Sequence, residues 1–414
     1  MHEMVPDEPA APEVPFSLRR IAVAAFGPTV LAALGEGAVL PVLALRAREL
    51  GASVGVTAFV VALIGLGQLA AALPAGAIVS RVGETRSLML AAGVEALALV
   101  GAAVAPALWQ FALAAFVLGT TGAVFNLARQ AYLTDAVPLS MRARALSTLG
   151  GVNRIGLFFG PFLGAVAVRL WGVPAAFAVG AAGALGALVL LVLVPDLTRH
   201  HESASVVRSG ASVWAVLRAH RHTLLTLGPG VLVIAAARAC RTSVLPLWAE
   251  SIGVSAADTA LVFGIAGAVD MALFYPAGLV MDRRGRAWIA VPTAVVIGVG
   301  MMALPLTHTV VTLTLVAMVM ALGNGIGSGI VMTLGADASP PEARPQFLGG
   351  WRLFADLGSS AGPLLVGAIT LVAPLAAAIV SVGALSALGG GWLAYWVPRF
   401  DPRSRRGRGA GSRR

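Results

Sequence analysis

The chain has 414 residues, of which 58% are hydrophobic and 12% are charged, and its formal net charge is +10. These polar groups are too few to cover the surface of a water-soluble protein of this length. The composition therefore excludes a water-soluble protein and predicts a chain surrounded by lipid. In so apolar a chain we assign the positive charge to anionic lipid headgroups and to membrane topology, not to nucleic acid.

The first part of the chain predicts a short tail and then six membrane spans. Residues 1–20 carry several acids and no apolar core, so we expect a disordered cytoplasmic tail and not a signal peptide. Residues 21–195 then contain apolar segments long enough to cross a bilayer, which takes roughly 20 residues. These segments are Ile21–Leu45, Val56–Val79, Ser87–Ala107, Trp109–Leu133, Leu146–Arg169 and Pro174–Pro195.

The composition turns polar at residues 196–222, which we predict to be a cytoplasmic linker between two sets of spans. Within it the apolar residues from Val213 to Leu217 fall at helical spacing opposite Arg218, which predicts a short helix in the membrane interface. Six further spans are predicted in residues 223–397, followed by a basic cytoplasmic tail at 398–414. These spans are Thr223–Ala249, Asp258–Met281, Ala287–Thr307, Thr309–Thr333, Phe347–Leu371 and Pro374–Val397.

The spans lack the two-residue alternation of barrel strands, so the fold predicted is an all-α membrane protein. The positions of arginine predict its orientation, because all 29 Lys and Arg positions are Arg and most lie in the tails, the linker and the loops on one side. The opposite loops hold only Arg46, Arg48 and Arg169. The positive-inside rule therefore places both termini in the cytoplasm of a multi-pass cell (inner) membrane protein.

An internal repeat appears when the chain is shifted by 202 positions. Because each half has an even number of spans, the halves run in the same direction, related by an axis normal to the membrane, with a cavity between them at mid-depth. The residues that recur are Pro74, Gly76, Arg81, Gly83, Asp135, Gly156, Gly160 and Pro161, matched by Pro276, Gly278, Arg283, Gly285, Asp337, Gly358, Gly362 and Pro363.

The loops after the second and eighth spans read PAGAIVSRVGETR and PAGLVMDRRGR. They resemble the G-x-x-x-D-R-x-G-R signature of the major facilitator superfamily. The second copy is complete in Gly278, Asp282, Arg283, Gly285 and Arg286. The first copy keeps Gly76, Arg81, Gly83 and Arg86 but has Ser80 in place of the acid.

The resemblance covers both halves and implies two pseudo-symmetric six-helix bundles in a monomer. It also implies a cytoplasmic gate in which Arg81 pairs with Asp135 and Arg283 pairs with Asp337. The alternative reading is that these charges lie at the headgroups and only set the topology.

The fifth span contains GLFFGPFLGA, which resembles a motif of antiporters in the same superfamily and favours export. Gly156, Gly160 and Gly164 form a flat face for close helix approach, and Pro161 allows the helix to bend. Ordinary small-residue packing is the alternative, and Ala165 replaces the final glycine of the motif.

Charges inside a span cost ~2.5 to 3.5 kcal/mol each, so each needs a partner or a function. Glu36 lies five residues before Pro41, which resembles the acid-to-proline pattern of drug exporters in the superfamily. We predict Glu36 to be the proton carrier, paired with Arg241 of the seventh span. A permanent structural pair is the alternative.

Asp270 is the second candidate proton carrier, and Gln68 holds the matching position of the first half. Arg352 and Asp356 are spaced for a local ion pair, and Glu95 is expected to be structural. An arginine typical of the fourth span is expected to be absent, since Ala115 holds its place. Arg238, Asn126 and Asn324 complete the predicted pathway. The acids of the pathway, Glu36 and Asp270, suit cationic compounds, whereas Arg238 and Arg241 suit organic anions.

Several other classes are excluded by missing residues. The chain has no lysine, which excludes a phosphate-binding loop ending in lysine, and it contains no H-E-x-x-H motif. We therefore expect no enzyme, no bound metal and no cofactor, and the lone Cys240 excludes an internal disulfide.

The sequence predicts a secondary-active exporter of small amphipathic compounds, driven by the proton gradient, whose partners are its substrate, protons and membrane lipids. The alternatives are an importer or an organic-anion or metabolite transporter of the same fold, and a membrane sensor that transports nothing.

Overall fold

The computed structural model describes residues 18–137, 142–194, 213–327, 329–340 and 344–400. Most of the predicted tails and linker lie outside these ranges. The α-helices of the described residues are α1 (Leu18–Val39), α2 (Leu43–Glu49), α3 (Val54–Val82), α4 (Glu84–Val104), α5 (Leu108–Ala136), α6 (Arg142–Trp171), α7 (Pro174–Leu193), α8 (Val213–Ala219), α9 (Arg221–Ser251), α10 (Ala256–Arg284), α11 (Ala287–Ala303), α12 (Val310–Ile326), α13 (Ile330–Ala338), α14 (Arg344–Thr370) and α15 (Leu375–Phe400).

Within the described part of the chain, 12 segments are long and apolar enough to cross a membrane. Helices α1 and α2 together form span 1, and α3 to α7 form spans 2 to 6. Helices α9 to α11 form spans 7 to 9, α12 and α13 together form span 10, and α14 and α15 form spans 11 and 12. Each coincides with a predicted span, which confirms the all-α membrane architecture.

Helix α8 is the short helix predicted in the linker. Its residues Val216 and Leu217 pack into an apolar core with Phe347 and Trp351 of α14. This helix therefore turns apolar side chains toward protein, where the sequence predicted contact with the membrane interface.

Two spans are interrupted, which the sequence analysis did not predict. Span 1 contains the 3-10 turn Leu40–Val42 around Pro41, a residue that has no N–H for the helix ladder. Span 10 breaks after Ile326, and Gly329 there adopts the left-handed φ of 82° that glycine tolerates best.

The repeat is visible in the backbone. Gly83 and Gly285, at the ends of α3 and α10, have φ angles of 89° and 99°. Ser53 and Ser255 cap the beginnings of the same two helices, each accepting a hydrogen bond from a backbone N–H of the first turn. Equivalent positions therefore adopt equivalent conformations, which confirms the internal repeat.

Glycine allows span 5 to approach span 1 closely. A methyl group on Gly160 of α6 would lie 2.5 Å from the carbonyl oxygen of Leu34, and one on Gly164 would lie 2.8 Å from that of Ala38. Gly156 packs on the same helix. In the second half Gly362 of α14 packs in the same way on α9, so the predicted flat face is a packing surface of both bundles.

The two halves meet along two seams, where α3 packs on α14 and α6 packs on α10. A methyl group on Gly65 of α3 would lie 2.7 Å from Oγ of Ser360 in α14. One on Gly264 of α10 would lie 2.7 Å from the ring of Phe162 in α6. The seams are therefore tightly packed at these levels.

Both seams separate toward the side of the molecule that carries the two chain termini. An even number of spans places Leu18 and Phe400 on one side of the molecule, which we call the terminal side, and the opposite side the distal side. On the seam helices four glycines near the terminal side would meet no described atom within 4 Å if they carried a methyl group: Gly76, Gly150, Gly278 and Gly349. Gly350 of α14 instead packs on Leu217 of α8. The space between the halves is thus closed distally and widens toward the terminal side.

Candidate functional site

Glu36 lies at mid-depth of span 1 and is exposed. Its neighbours Gly35 and Gly37 pack against α7 and α6. The carboxylate interacts electrostatically with Arg129 of α5 and with Glu95 of α4. Because these partners belong to the same bundle, Glu36 faces an internal space and not lipid.

Arg129 lies between two chemical partners. Its guanidinium attracts the Glu36 carboxylate, and its Nη1 donates a 2.8 Å hydrogen bond to Oδ1 of Asn153 in α6. The fourth span therefore carries an arginine beside Glu36, nearer the terminal side than Ala115. We call Glu36, Glu95 and Arg129 the acidic cluster.

A second group of charges lies at mid-depth between the halves. Arg238 and Arg241 of α9 and Arg154 of α6 all interact electrostatically with Asp270 of α10. Asp270 accepts a 2.5 Å hydrogen bond through Oδ2 from Nδ2 of Asn324. We call Arg154, Arg238, Arg241 and Asp270 the arginine cluster.

The predicted pair of Glu36 and Arg241 is wrong for this structure. Arg241 lies one turn beyond Arg238 on the same face of α9, and that face meets Asp270 of α10. The sequence matched the two residues as repeat equivalents. Equivalence in the repeat determines the depth of a residue in the membrane but not the direction of its side chain. Glu36 and Arg241 therefore each interact with a residue of their own bundle.

The distal side is bridged by an ion pair that the sequence analysis missed. Nε of Arg48 donates to both carboxylate oxygens of Glu250 at 3.1 Å, and its Nη1 donates to the carbonyl oxygen of Ala52 at 2.6 Å. Arg48 and Glu250 are 202 positions apart. They are thus repeat equivalents that meet across the axis. The 202-residue offset between them can be read from the sequence, but the sequence analysis used Arg48 only to predict the topology.

The terminal gate differs from its prediction. Asp337 pairs with Arg286, whose Nε lies 2.7 Å from Oδ2, and not with Arg283. The left-handed Gly285 ends α10 and directs the chain so that Arg286, the first residue beyond the turn, reaches the end of span 10. Arg81 is exposed, and the side chains of Asp135 and Asp282 lie outside the described residues.

The remaining predicted residues are less closely connected. Gln68 and Asn126 are partly buried on α3 and α5 and make no side-chain hydrogen bond within the described residues. The predicted local pair is confirmed, since Nε of Arg352 lies 3.7 Å from Oδ2 of Asp356. In the described part of the chain, no group of acids, histidines and cysteines could hold a metal ion.

A sequence profile of the Major Facilitator Superfamily matches residues 26–339 and also residues 227–413. The chain belongs to this superfamily. It is therefore a multi-pass membrane protein of a transporter family, as the loop motifs indicated.

Its relatives include the multidrug resistance protein MdtG of Escherichia fergusonii and the same protein of Salmonella arizonae. Each is 29% identical over 175 residues. The match covers 41% of this chain and 43% of each relative, so it spans less than half the length of either protein.

Solved structures share the fold. A POT family transporter in complex with a thioalcohol conjugated peptide has a TM-score of 0.75 at 12% identity, covering 92% of this chain and 96% of that chain. A D-xylose–proton symporter has a TM-score of 0.65 at 18% identity, covering 92% and 98%. A bacterial homologue of the human lysosomal transporter Spinster, in an inward-facing and unoccupied conformation, has a TM-score of 0.69 at 14% identity, covering 94% and 97%.

Proposed function

We propose that this chain is a proton-coupled exporter of small amphipathic organic compounds that works by alternating access. The observation that carries the proposal is the Glu36 carboxylate, which is exposed at mid-depth and faces Arg129 inside a bundle. A carboxylate at this depth is costly unless it is paired or has a function. Its exposure to an internal space gives protons a route to it.

The packing of the halves supports alternating access. The seams and the pair of Arg48 with Glu250 close the distal side, while the halves separate toward the terminal side. By the positive-inside rule the terminal side is the cytoplasm, so the state described is open inward. Rocking of the two bundles about their mid-depth contacts exchanges the closed end.

Coupling to protons follows from the acidic cluster. An ionised Glu36 is attracted to Arg129, and protonation removes that attraction. Antiport requires that the bundles change state when either a proton or a substrate is bound, but not when the protein is empty. Glu36 is the group through which a proton alters that balance.

The relatives support the direction of transport. Those named multidrug resistance proteins match this chain over 175 residues. The glycine face of α6, which resembles an antiporter motif, lies directly against the helix that carries Glu36. A proton bound at Glu36 can therefore be sensed at the contact between spans 1 and 5.

The test is dye accumulation in cells that express the chain, using rhodamine 123 as a cationic dye and fluorescein as an anionic one. We expect lower accumulation of at least one dye than in cells without the chain, and an uncoupler should remove the difference. Raised accumulation would instead show import. Export that persists with the uncoupler would contradict proton coupling.

Substitution of the carboxylate tests the role of Glu36. We expect Glu36→Gln to abolish uncoupler-sensitive export while the purified protein remains monodisperse. Glu49→Gln is the matched control, because Glu49 is on the same span but pairs with Arg46 near the distal surface. Unchanged export by Glu36→Gln would reject Glu36 as the proton carrier. An absence of any flux in proteoliposomes would favour a membrane sensor.

A further inference from the structure

The arginine cluster has an excess of positive charge. Three guanidinium groups, those of Arg154, Arg238 and Arg241, lie around the single carboxylate of Asp270. Arg238 is attracted by Asp270 but repelled by both of the other arginines. Like charges at mid-depth are costly to hold together without an opposing charge, and Arg238 and Arg241 alone already place two guanidinium groups against the carboxylate of Asp270.

The hydrogen bonds of the cluster are also incomplete. The Nε atoms of Arg238 and Arg241 and the Oδ1 atom of Asp270 are buried and have no hydrogen-bond partner within the described residues. The other oxygen of Asp270 is already bound by Asn324. Buried polar groups are normally satisfied, and an anionic acceptor can recover the free energy lost at the two Nε donors, though not at the carboxylate oxygen of Asp270.

We propose that the arginine cluster is the substrate site and that it binds an amphipathic organic anion. That the bound anion is transported rests on the proposed function, whereas that the cluster binds it does not. A carboxylate matches the planar donor fork of a guanidinium with two parallel hydrogen bonds. One bound negative charge also reduces the excess of the cluster.

The surroundings suit the apolar part of such an anion. Phe158 and Phe162 follow Arg154 at four-residue spacing on α6, so they share its face, and their rings contact each other at a centroid distance of 5.4 Å. They lie against Gly267 and Gly264 of α10 along the seam. A bound anion therefore has an aromatic wall beside the guanidinium groups.

The position of the cluster fits a site that drives rocking. Arg154 belongs to the first half, and Arg238, Arg241 and Asp270 belong to the second, so one occupant contacts both bundles. Span 10 is interrupted beside the cluster, where a methyl group on Gly327 would lie 2.8 Å from Nη2 of Arg238. Discontinuous spans of this kind line substrate sites in other transporter folds.

The first experiment measures binding to the purified full chain in detergent, without any gradient. Fluorescein and rhodamine 123 share a three-ring skeleton but differ in charge, so we expect fluorescence polarisation to show binding of fluorescein in preference to rhodamine 123. Arg241→Gln should weaken fluorescein binding about 10-fold, the loss of roughly 1.4 kcal/mol. Arg169→Gln, an exposed arginine on the helix of Arg154, is the matched control and should bind as the unsubstituted chain does.

A gain-of-binding variant separates charge from folding. Asp270→Asn removes the only carboxylate of the cluster, so we expect several-fold tighter fluorescein binding, which a misfolded protein would not show. Tighter rhodamine 123 binding in preference to fluorescein, or fluorescein binding that neither Arg241→Gln nor Asp270→Asn changes, would overturn the proposal. Binding of neither dye would also count against it.

Transport in proteoliposomes distinguishes this inference from the proposed function. If fluorescein binds but neither dye is moved by an imposed proton gradient, the anion site stands and the proton-coupled exporter fails. If rhodamine 123 is moved by the gradient and fluorescein neither binds nor moves, the exporter stands and the anion site fails.

Discussion

Arg129 interacts electrostatically with Glu36, and Glu36 in turn interacts with Glu95. Removing one member of a charge cluster at this depth leaves the others uncompensated. The residue should therefore matter for folding as well as for transport.

At this site we predict a rescue by charge balance. Arg129→Gln should lower the free energy of unfolding by ~3 kcal/mol, because it leaves the Glu36 carboxylate without its cation. The double variant Arg129→Gln Glu36→Gln should recover most of this loss, since that carboxylate is then neutral. Thermal unfolding in detergent of the single and double variants gives the coupling energy. Strictly additive losses would show that the two side chains do not interact.

The sequence predicted which residues matter here but not how they pair. A charged residue inside an apolar span is easily recognised in the sequence, so Glu36, Arg241 and Asp270 were all identified as candidates. Pairing depends on how each helix is rotated about its axis, and a repeat offset says nothing of that rotation. The chain therefore pairs Glu36 with Arg129 and Asp337 with Arg286, where symmetry and motif indicated Arg241 and Arg283.

At the scale of helices, glycine sets the distance between spans 1 and 5. The packing of Gly160 on Leu34 and Gly37 brings the two backbones into contact, and the contacting atoms belong to the backbone, which cannot move aside easily. The helix that carries Glu36 is held in place by this contact.

Here we predict that Gly160→Ala lowers the free energy of unfolding by ~1 to 3 kcal/mol through overpacking. Gly101→Ala is the control, because a methyl group on Gly101 of α4 would meet no described atom within 4 Å. Alanine favours helix over glycine, so the control should be neutral or slightly stabilised. Thermal unfolding of the two variants checks the difference. Equal stability would show that spans 1 and 5 separate without cost.

The helices were predictable because bilayer thickness fixes their length and loss of hydropathy fixes their ends. Their interruptions were not. Proline interrupts span 1 and glycine interrupts span 10, but both residue types also occur in unbroken spans. Pro161, for example, lies within the continuous helix α6. Whether such a residue breaks a helix depends on the neighbours that satisfy its backbone.

At the scale of the whole molecule, the repeat predicted two halves but not which end is closed. The same halves can meet at either end, and the two arrangements differ only in which contacts are made. The pair of Arg48 with Glu250 is one distal contact, and both of its side chains are about one-third exposed. A pair so placed contributes ~1 kcal/mol or less, so it biases the equilibrium without fixing it.

A cross-link tests whether closure of the distal side must be reversed during transport. A methyl group on Gly55 of α3 would lie 3.2 Å from the carbonyl oxygen of Gly367, and one on Gly367 would lie 3.0 Å from that of Gly55, so cysteines at both positions are within the reach of a disulfide. The native Cys240 is buried and should not compete. We predict that Gly55→Cys Gly367→Cys forms this disulfide on mild oxidation and loses transport, which a reductant restores.

The matched control is Gly76→Cys Gly349→Cys, which places cysteines on the same two helices near the terminal side. Because a methyl group on either glycine would meet no described atom within 4 Å, this pair should cross-link more slowly in the state described and faster once the distal side opens. Arg48→Ala removes a distal contact and should therefore speed the terminal cross-link and slow the distal one, by up to about fivefold for a pair worth ~1 kcal/mol. Full transport by a protein whose distal cysteines are completely cross-linked would show that the substrate does not pass between the halves.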